Sequence, residues 1–159
     1  MSMPPVSGQR VDLGSGAVAW WPCHIGKDAA IGADCSIGAL AHIGQRAVLG
    51  DGCRIQGSAY IADECVLGER VFVGPAAVLL NDKYPPSGDR NKWQPVRVGD
   101  GAVIGGNATL VPGSSMGRNS VLAAGAVLTS HLPDDEVWAG NPASLLMSRA
   151  AYEERRERA

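Results

Sequence analysis

The sequence predicts an all-β fold in which a parallel coil winds into a triangular prism. Large aliphatics recur at every sixth position, as Ile25, Ile31, Ile37, Ile43, Leu49, Ile55, Ile61, Leu67, Val73 and Leu79. The series breaks and then resumes at Val98, Ile104, Leu110, Met116, Leu122 and Leu128, so all sixteen slots are filled. Four residues after each aliphatic comes a smaller side chain, as at Ala29, Cys35, Ala41 and Cys53. A fixed short period marks a repeat architecture. Six suits neither the 3.6 of a helix nor the 2 of a flat strand. It suits three six-residue segments per turn of a coil, with each residue stacking on the one eighteen further along.

The elements follow in order. Residues 1–12 hold Pro4 and Pro5 and no hydrophobic signal core, which predicts a loose N-terminus. The prism is expected over 13–143, its first coil starting near Leu13 or Ala19 with Trp20 and Trp21 at the rim. Glycine follows most of the aliphatics, as at Gly26, Gly32 and Gly38, and is read as serving the sharp corner between segments. Large and small inward residues alternate and fill the interior, so no lumen remains for a ligand. The stretch 80–97, LNDKYPPSGDRNKWQPVR, lacks the hexad pattern and holds three of the ten prolines. It is expected to leave the prism as an external loop, and long loops of this kind in compact domains are usually functional. Coils are expected to end near Thr129, followed by a turn. Residues 144–159, with Leu145, Leu146 and Met147 before mixed Arg and Glu, read as a short helix capping the last coil.

Composition excludes several function classes. A net charge of −2 leaves no nucleic-acid footprint. No apolar run reaches the ~20 residues that a membrane span needs. With the missing signal core, this predicts a cytoplasmic protein. Cys23, Cys35, Cys53 and Cys65 are spaced by multiples of six and all fall in the small inward slot. They read as reduced thiols used as small core residues.

Chemistry-bearing residues gather at four places. His24 and His42 are eighteen apart and share an outward column with Tyr60 and Val78, where they could form a polar face, act as a base or hold a metal. A catalytic zinc asks for three ligands, and the third histidine, His131, lies outside the register. Asn81, Asp82 and Tyr84 open the loop. Turn formation alone would explain the first two, but the three could also receive a hydroxyl, an amine and a ring. Gly140, Asn141, Pro142 and Ala143 form a turn after the last coil. Backbone N–H groups near Gly105–Gly106 and Ala123–Gly125 could stabilise an oxyanion.

The hexads, the NDKYP loop, the GNATLVPG segment (106–113) and the GNPA turn together resemble the hexapeptide-repeat acyltransferases of left-handed β-helix fold. The resemblance covers about 19–148, and it implies the left-handed coiling. Within the family, RIQGSAYIADECVLGERVFVGPAAVLLNDKYP is similar to the branch that N-acetylates amino groups of nucleotide-linked sugars for surface polysaccharides. Two features depart from that branch. Gln56-Gly57-Ser58 stands where an Asn-rich segment is common, and Pro86 stands where Arg often follows the loop proline.

The resemblance implies acetyl-CoA as co-substrate and no metal. It implies a homotrimer with sites between adjacent prisms. Acyl-CoA contacts fall on Gly105, Gly106, Ala123, Ala124 and Gly140–Ala143, with sugar contacts on Gln56, Tyr60, Asn81, Asp82 and Tyr84. In such an enzyme the amine attacks the thioester directly, with His24 or His42 as possible bases or the CoA sulfur receiving the proton. Two rival readings remain: a metal enzyme like the γ-class carbonic anhydrases, and a non-catalytic scaffold.

Overall fold

In the computed structural model, residues 8–159 are described, and the part of the expected loose terminus before Gly8 lies outside them. Parallel two-residue strands stack into three faces of a prism. The first face runs Ala17–Trp21, Ser36–Ile37, Arg54–Ile55, Phe72–Val73, Val103–Ile104, Val121–Leu122 and Glu136–Gly140. The second runs from His24–Ile25 through His42–Ile43, Tyr60–Ile61, Val78–Leu79 and Thr109–Leu110 to Val127–Leu128, and the third from Ala30–Ile31 to His131–Leu132. Register is the expected eighteen, as in His24↔His42 and Ile25↔Ile43. Across the loop, Leu79 pairs instead with Leu110, so the insertion leaves the stack unbroken. The hexad aliphatics from Ile37 onward are buried, together with Cys35, Cys53 and Cys65.

The corners work differently from the sequence expectation. The glycine after each aliphatic is not the residue with left-handed backbone. That conformation falls two positions later, at Asp28, Asp34, Leu40, Arg46, Ser58, Glu64, Arg70, Ala76, Asn107 and Asn119. The first glycine is required by closeness of stacking. A Cβ on Gly26 would sit 2.5 Å from the Gln45 nitrogen of the next coil, and one on Gly44 would sit 2.3 Å from that of Asp63.

Four boundaries differ from expectation. Gln9–Gly14, placed mostly within the loose terminus, is a strand antiparallel to Ala17–Trp21. The projecting loop is 81–95, because the Leu80 amide bonds the Leu110 carbonyl, and buried Val96 accepts from the Val66 amide. The prism continues past Thr129: after a shortened corner, Leu132 takes the inward slot above Met116, and Val137 lies over Val121. The helix expected over 144–159 begins only at Arg149, because Ala143–Ser148 forms a strand antiparallel to Glu136–Gly140. Alternating apolar residues and a two-residue turn favour a hairpin there over a helical start. The first face is therefore extended at both ends by antiparallel strands, Gln9–Gly14 and Ala143–Ser148, which form its edges. The helix lies along the outside of that face.

The buried thiols give a direct test. Burial pushes Cys53 up to about 12 and Cys65 to about 11. The Cys35 and Cys53 sulfurs lie 3.2 and 3.1 Å from the Gly50 and Gly68 carbonyl oxygens. A disulfide reagent at pH 8 is expected to leave Cys35, Cys53 and Cys65 unmodified until the chain is unfolded. Rapid labelling of the native protein at any of the three, read by peptide mass, would contradict the packed interior.

Candidate functional site

The corners of the prism differ in how they satisfy their backbone. Where the third face turns into the first, a carboxylate of the next coil accepts three of the exposed amides. Asp51 takes the Ala33 N–H at 2.8 Å, Asp100 that of Glu69 at 2.9 Å, and Asp134 that of Arg118 at 2.7 Å. Between the second and third faces, Asp63 takes that of Gln45 at 2.8 Å. Between the first and second faces, the equivalent positions are Ala39, Gly57, Pro75, Gly106 and Ala124, and none has an acceptor side chain. The Ala39, Gly57, Gly106 and Ala124 amides consequently meet no acceptor among the described residues, and neither do those of Asp51, Asp63 and Asp100 at the other corners. The other amides expected there are committed to the coil: Gly105 donates to Leu122, Ala123 to Trp138 and Gly125 to Gly106.

This corner is also free of negative charge. Gly140–Ala143 forms the turn of the final hairpin and continues the same edge, since Ala123 bonds directly to the strand that leads into it. All eight residues expected to contact an acyl-CoA therefore lie along one edge of the prism. Gln56 belongs to this edge too, at a lower coil.

A groove of about 620 Å³ opens beside that edge on the first face. Its floor is the outward column Phe72, Val103, Val121 and Val137, and its far wall is Tyr152, Arg155 and Arg156 of the C-terminal helix (Arg149–Arg158). Gly105, Ala123 and Ala124 line its near side. Sequence reasoning missed this groove. Its signal was readable: the outward slot on this face changes from Ser36 and Arg54 to Phe72, Val103 and Val121, where solvent alone would favour polar residues.

The loop is built, not slack. Asn81 donates its side-chain amide to the Asp63 carbonyl at 3.2 Å, and its own carbonyl accepts from Gln94 at 2.6 Å. The Asp82 carboxylate accepts the Ser87 and Tyr84 amides, which hold its pKa below the usual carboxylate range. Arg90, on a short 3₁₀ turn, reaches Glu64, which also pairs with Arg46 at 3.2 Å. Asn81 and Asp82 thus fix the loop, while Tyr84, 78% exposed, is free to meet a ligand. The loop leaves the corner between the second and third faces, so one face separates it from the Gly106 edge.

That intervening second face carries the aromatic column. The rings of His24 and His42 stack at 4.6 Å with planes 16° apart, and those of His42 and Tyr60 at 4.6 Å and 13°. Burial, and then the charge of His24, lower the His42 pKa. A depressed histidine pKa means the folded state resists a proton that the unfolded chain accepts. Stability is therefore full above about pH 6.5 and falls as the pH drops through that value towards the folded pKa. His42→Gln is expected to flatten this acid-side fall in melting temperature between pH 7.5 and 5.5. An equally steep fall in the variant would assign it to other groups.

His131 lies on the third face, where its Nδ1 meets the Ser115 hydroxyl at 2.8 Å, away from the other two histidines. Among the described residues, no three His, Cys, Asp or Glu side chains are grouped to hold a metal ion. No helix there is long and apolar enough to cross a membrane.

Comparison with known proteins connects this geometry to a chemistry. Residues 95–130 match the family model described as the hexapeptide repeat of succinyl-transferase. The chain is 37% identical over 78 residues to a 2,3,4,5-tetrahydropyridine-2,6-dicarboxylate N-acetyltransferase of Staphylococcus aureus, covering 49% of this chain and 30% of the relative. The chain spans less than half the length of the curated relatives it matches. Among solved structures it is similar to PerB of Caulobacter crescentus in complex with CoA and GDP-perosamine, with TM-score 0.68 and 26% identity over 79% of this chain and 55% of that one. It is also similar to the acetyltransferase domain of PglB from Neisseria gonorrhoeae in complex with acetyl coenzyme A, with TM-score 0.69 and 26% identity over 82% and 58% of the two chains.

Proposed function

We propose that the protein is an acetyl-CoA-dependent N-acetyltransferase acting on the amino group of a nucleotide-linked amino sugar for surface polysaccharide biosynthesis in the cytoplasm. The observation that carries the acyl-transfer part is the prism edge with unpartnered amides, no carboxylate and, beside Ala124, an adjoining apolar groove. Its likeness to PerB in complex with CoA and GDP-perosamine, and to the acetyltransferase domain of PglB in complex with acetyl coenzyme A, supports the choice of donor and acceptor.

The chemistry asks little of side chains. A neutral amine attacks the thioester carbonyl, the tetrahedral oxyanion forms, and the carbon–sulfur bond breaks as the thiolate leaves. The surplus ammonium proton passes to the departing sulfur or to His24 or His42. Cys35, Cys53 and Cys65 are buried and have raised pKa values, so none of them is a competent nucleophile. The Gly106 and Ala124 amides are free donors for the oxyanion or for the amide carbonyls of the donor's arm. The rest of the rate would come from positioning the two reactants.

Because the interior is packed, both substrates bind outside it. The reading places the cleft between neighbouring prisms of a homotrimer, with the Gly106 edge of one facing the loop and Tyr84 of another. Release of free CoA thiol across a panel of amino sugar nucleotides tests it. At least one member is expected to support steady release, and silence across the panel with bound acetyl-CoA would redirect the acceptor class.

A further inference from the structure

The base of the prism ends on an edge that the repeat does not close. Most strands of the three faces are two residues long, but Gln9–Gly14 has six, and all six are exposed. It stands at the end of its sheet and pairs on one side only, with Ala17–Trp21. The directions of its backbone groups follow from that neighbour. Val18 donates its amide to the Cys35 carbonyl, so its polar groups point up the stack. Ala19 and Trp21 therefore point down, to their partners Val11 and Gln9. Arg10 and Asp12 alternate with those partners and turn their N–H and C=O groups to the open side.

An open edge is a template for another strand, and proteins commonly blunt it with proline, lysine or a short length. Gln9–Gly14 contains neither residue. Its side chains suit a copy of itself instead. Residues opposite each other share a face of the sheet, so Arg10 lies outward with Trp20, and Asp12 outward with Val18. Val11 lies on the core side with buried Ala19, yet is 37% exposed, since no strand lies beneath it among the described residues. An antiparallel copy centred on Val11 sets Val11 against Val11 and Arg10 against Asp12, twice over. It also brings the outward-turned backbone groups of Arg10 and Asp12 together. The neighbouring registers that keep those groups facing are centred on Arg10 or on Asp12, and each sets like charge against like. The strand at the far end of the sheet, Ala143–Ser148, has no charged residue to fix a register.

We propose that Gln9–Gly14 is a self-complementary docking edge. A second copy of this chain pairs with it antiparallel, base to base, and the first face continues from one prism into the next. The charge pattern selects a second copy as the occupant, because Arg10 and Asp12 answer each other only across a two-fold axis at Val11. Pairing gives the outward N–H and C=O groups their partners and takes Val11 out of water. The contact lies at the opposite end of the sheet from the final hairpin, so it leaves the sides of the prism and its groove open. It doubles a single prism or a homotrimer alike, and it does not depend on the acetyl-CoA reading.

The test is the mass of the full chain in solution, by light scattering over a dilution series, with thermal melting as a control on folding. Wild-type protein is expected at twice the mass of Arg10→Pro, which removes an outward N–H and leaves the bonds to Ala17–Trp21 in place. Arg10→Asp and Asp12→Arg should each stay at the lower mass, since each sets like charges across the axis. Mixed in equal amounts, the two should regain the doubled mass. Wild-type protein with the mass of Arg10→Pro overturns the proposal, whether the edge then stays bare or takes a strand of another protein. A doubled mass that all three single variants keep also overturns it, because the copies would then meet elsewhere. So does a mixture that fails to regain the mass, even if Arg10→Pro melts early.

Discussion

Valine in place of Gly105 is expected to cost the protein both stability and its donor edge. A Cβ at this position would lie 2.3 Å from the Ala124 nitrogen and 2.7 Å from the Ala123 carbonyl carbon. Both are backbone atoms of the next coil, so no flexible side chain can yield. The coils must separate where Gly105 bonds Leu122 and where Ala124 presents its free amide. Overpacking of this kind costs about 3 kcal/mol, which for a chain of this size lowers the melting temperature by roughly 6–12 °C. CoA binding should weaken as well, because the misplaced amide belongs to the proposed site. Thermal unfolding and CoA titration on one preparation read both effects. A variant that melts like the wild type would show that the stack tolerates a side chain here, against the close approach seen at every such glycine.

The second large effect is expected at the root of the loop. Asn81→Ala combined with Asp82→Ala removes the bond to the Asp63 carbonyl and the carboxylate that gathers the Ser87 and Tyr84 amides. The loop stands outside the prism, so the core should melt almost unchanged. Acetyl transfer should fall by about 100-fold or more, since displacement of a reactant by an ångström costs this much. Steady-state rates on the accepted amino sugar, with size-exclusion profiles as a control on assembly, decide the matter. Wild-type kinetics in the double variant would take the loop out of the site. A loss confined to KM would make the loop a binding element only.

The two predictions draw on different kinds of legibility. The prism was readable because its packing is periodic: Ile37, Ile55, Val73 and Ile104 are inward for the same reason, and each repeat contributes its evidence to the next. The position of the loop was readable because 81–95 breaks that period. The edge to which donor contacts are proposed was readable as an edge, since Gly105, Ala123 and the Gly140–Ala143 turn share a corner once the eighteen-residue register is known. The reason for the glycine after each aliphatic was misread, because a close approach between coils and a left-handed backbone leave the same residue in a sequence. The final hairpin was missed for a related reason. The step from Leu128 to Leu132 is four, so a strict period of six loses the last coil, and Leu145 and Met147 fit an amphipathic helix as well as a strand.

Asn81 and Asp82 show the limit from the other side. Residue type suggested ligand contacts, yet the structure gives both of them bonds that hold the loop, and leaves Tyr84 as the exposed member.

By itself the amino-acid order determined the coil, its register, its solid interior and the point where a segment departs, since all four follow from local spacing and burial. Only the tertiary structure decided which amides lack an acceptor, and that an α-helix from outside the repeat walls a groove with Arg155 and Arg156. Those facts depend on what stands one coil above or across a face, and such neighbours are set by packing between distant residues, which no period in the chain encodes.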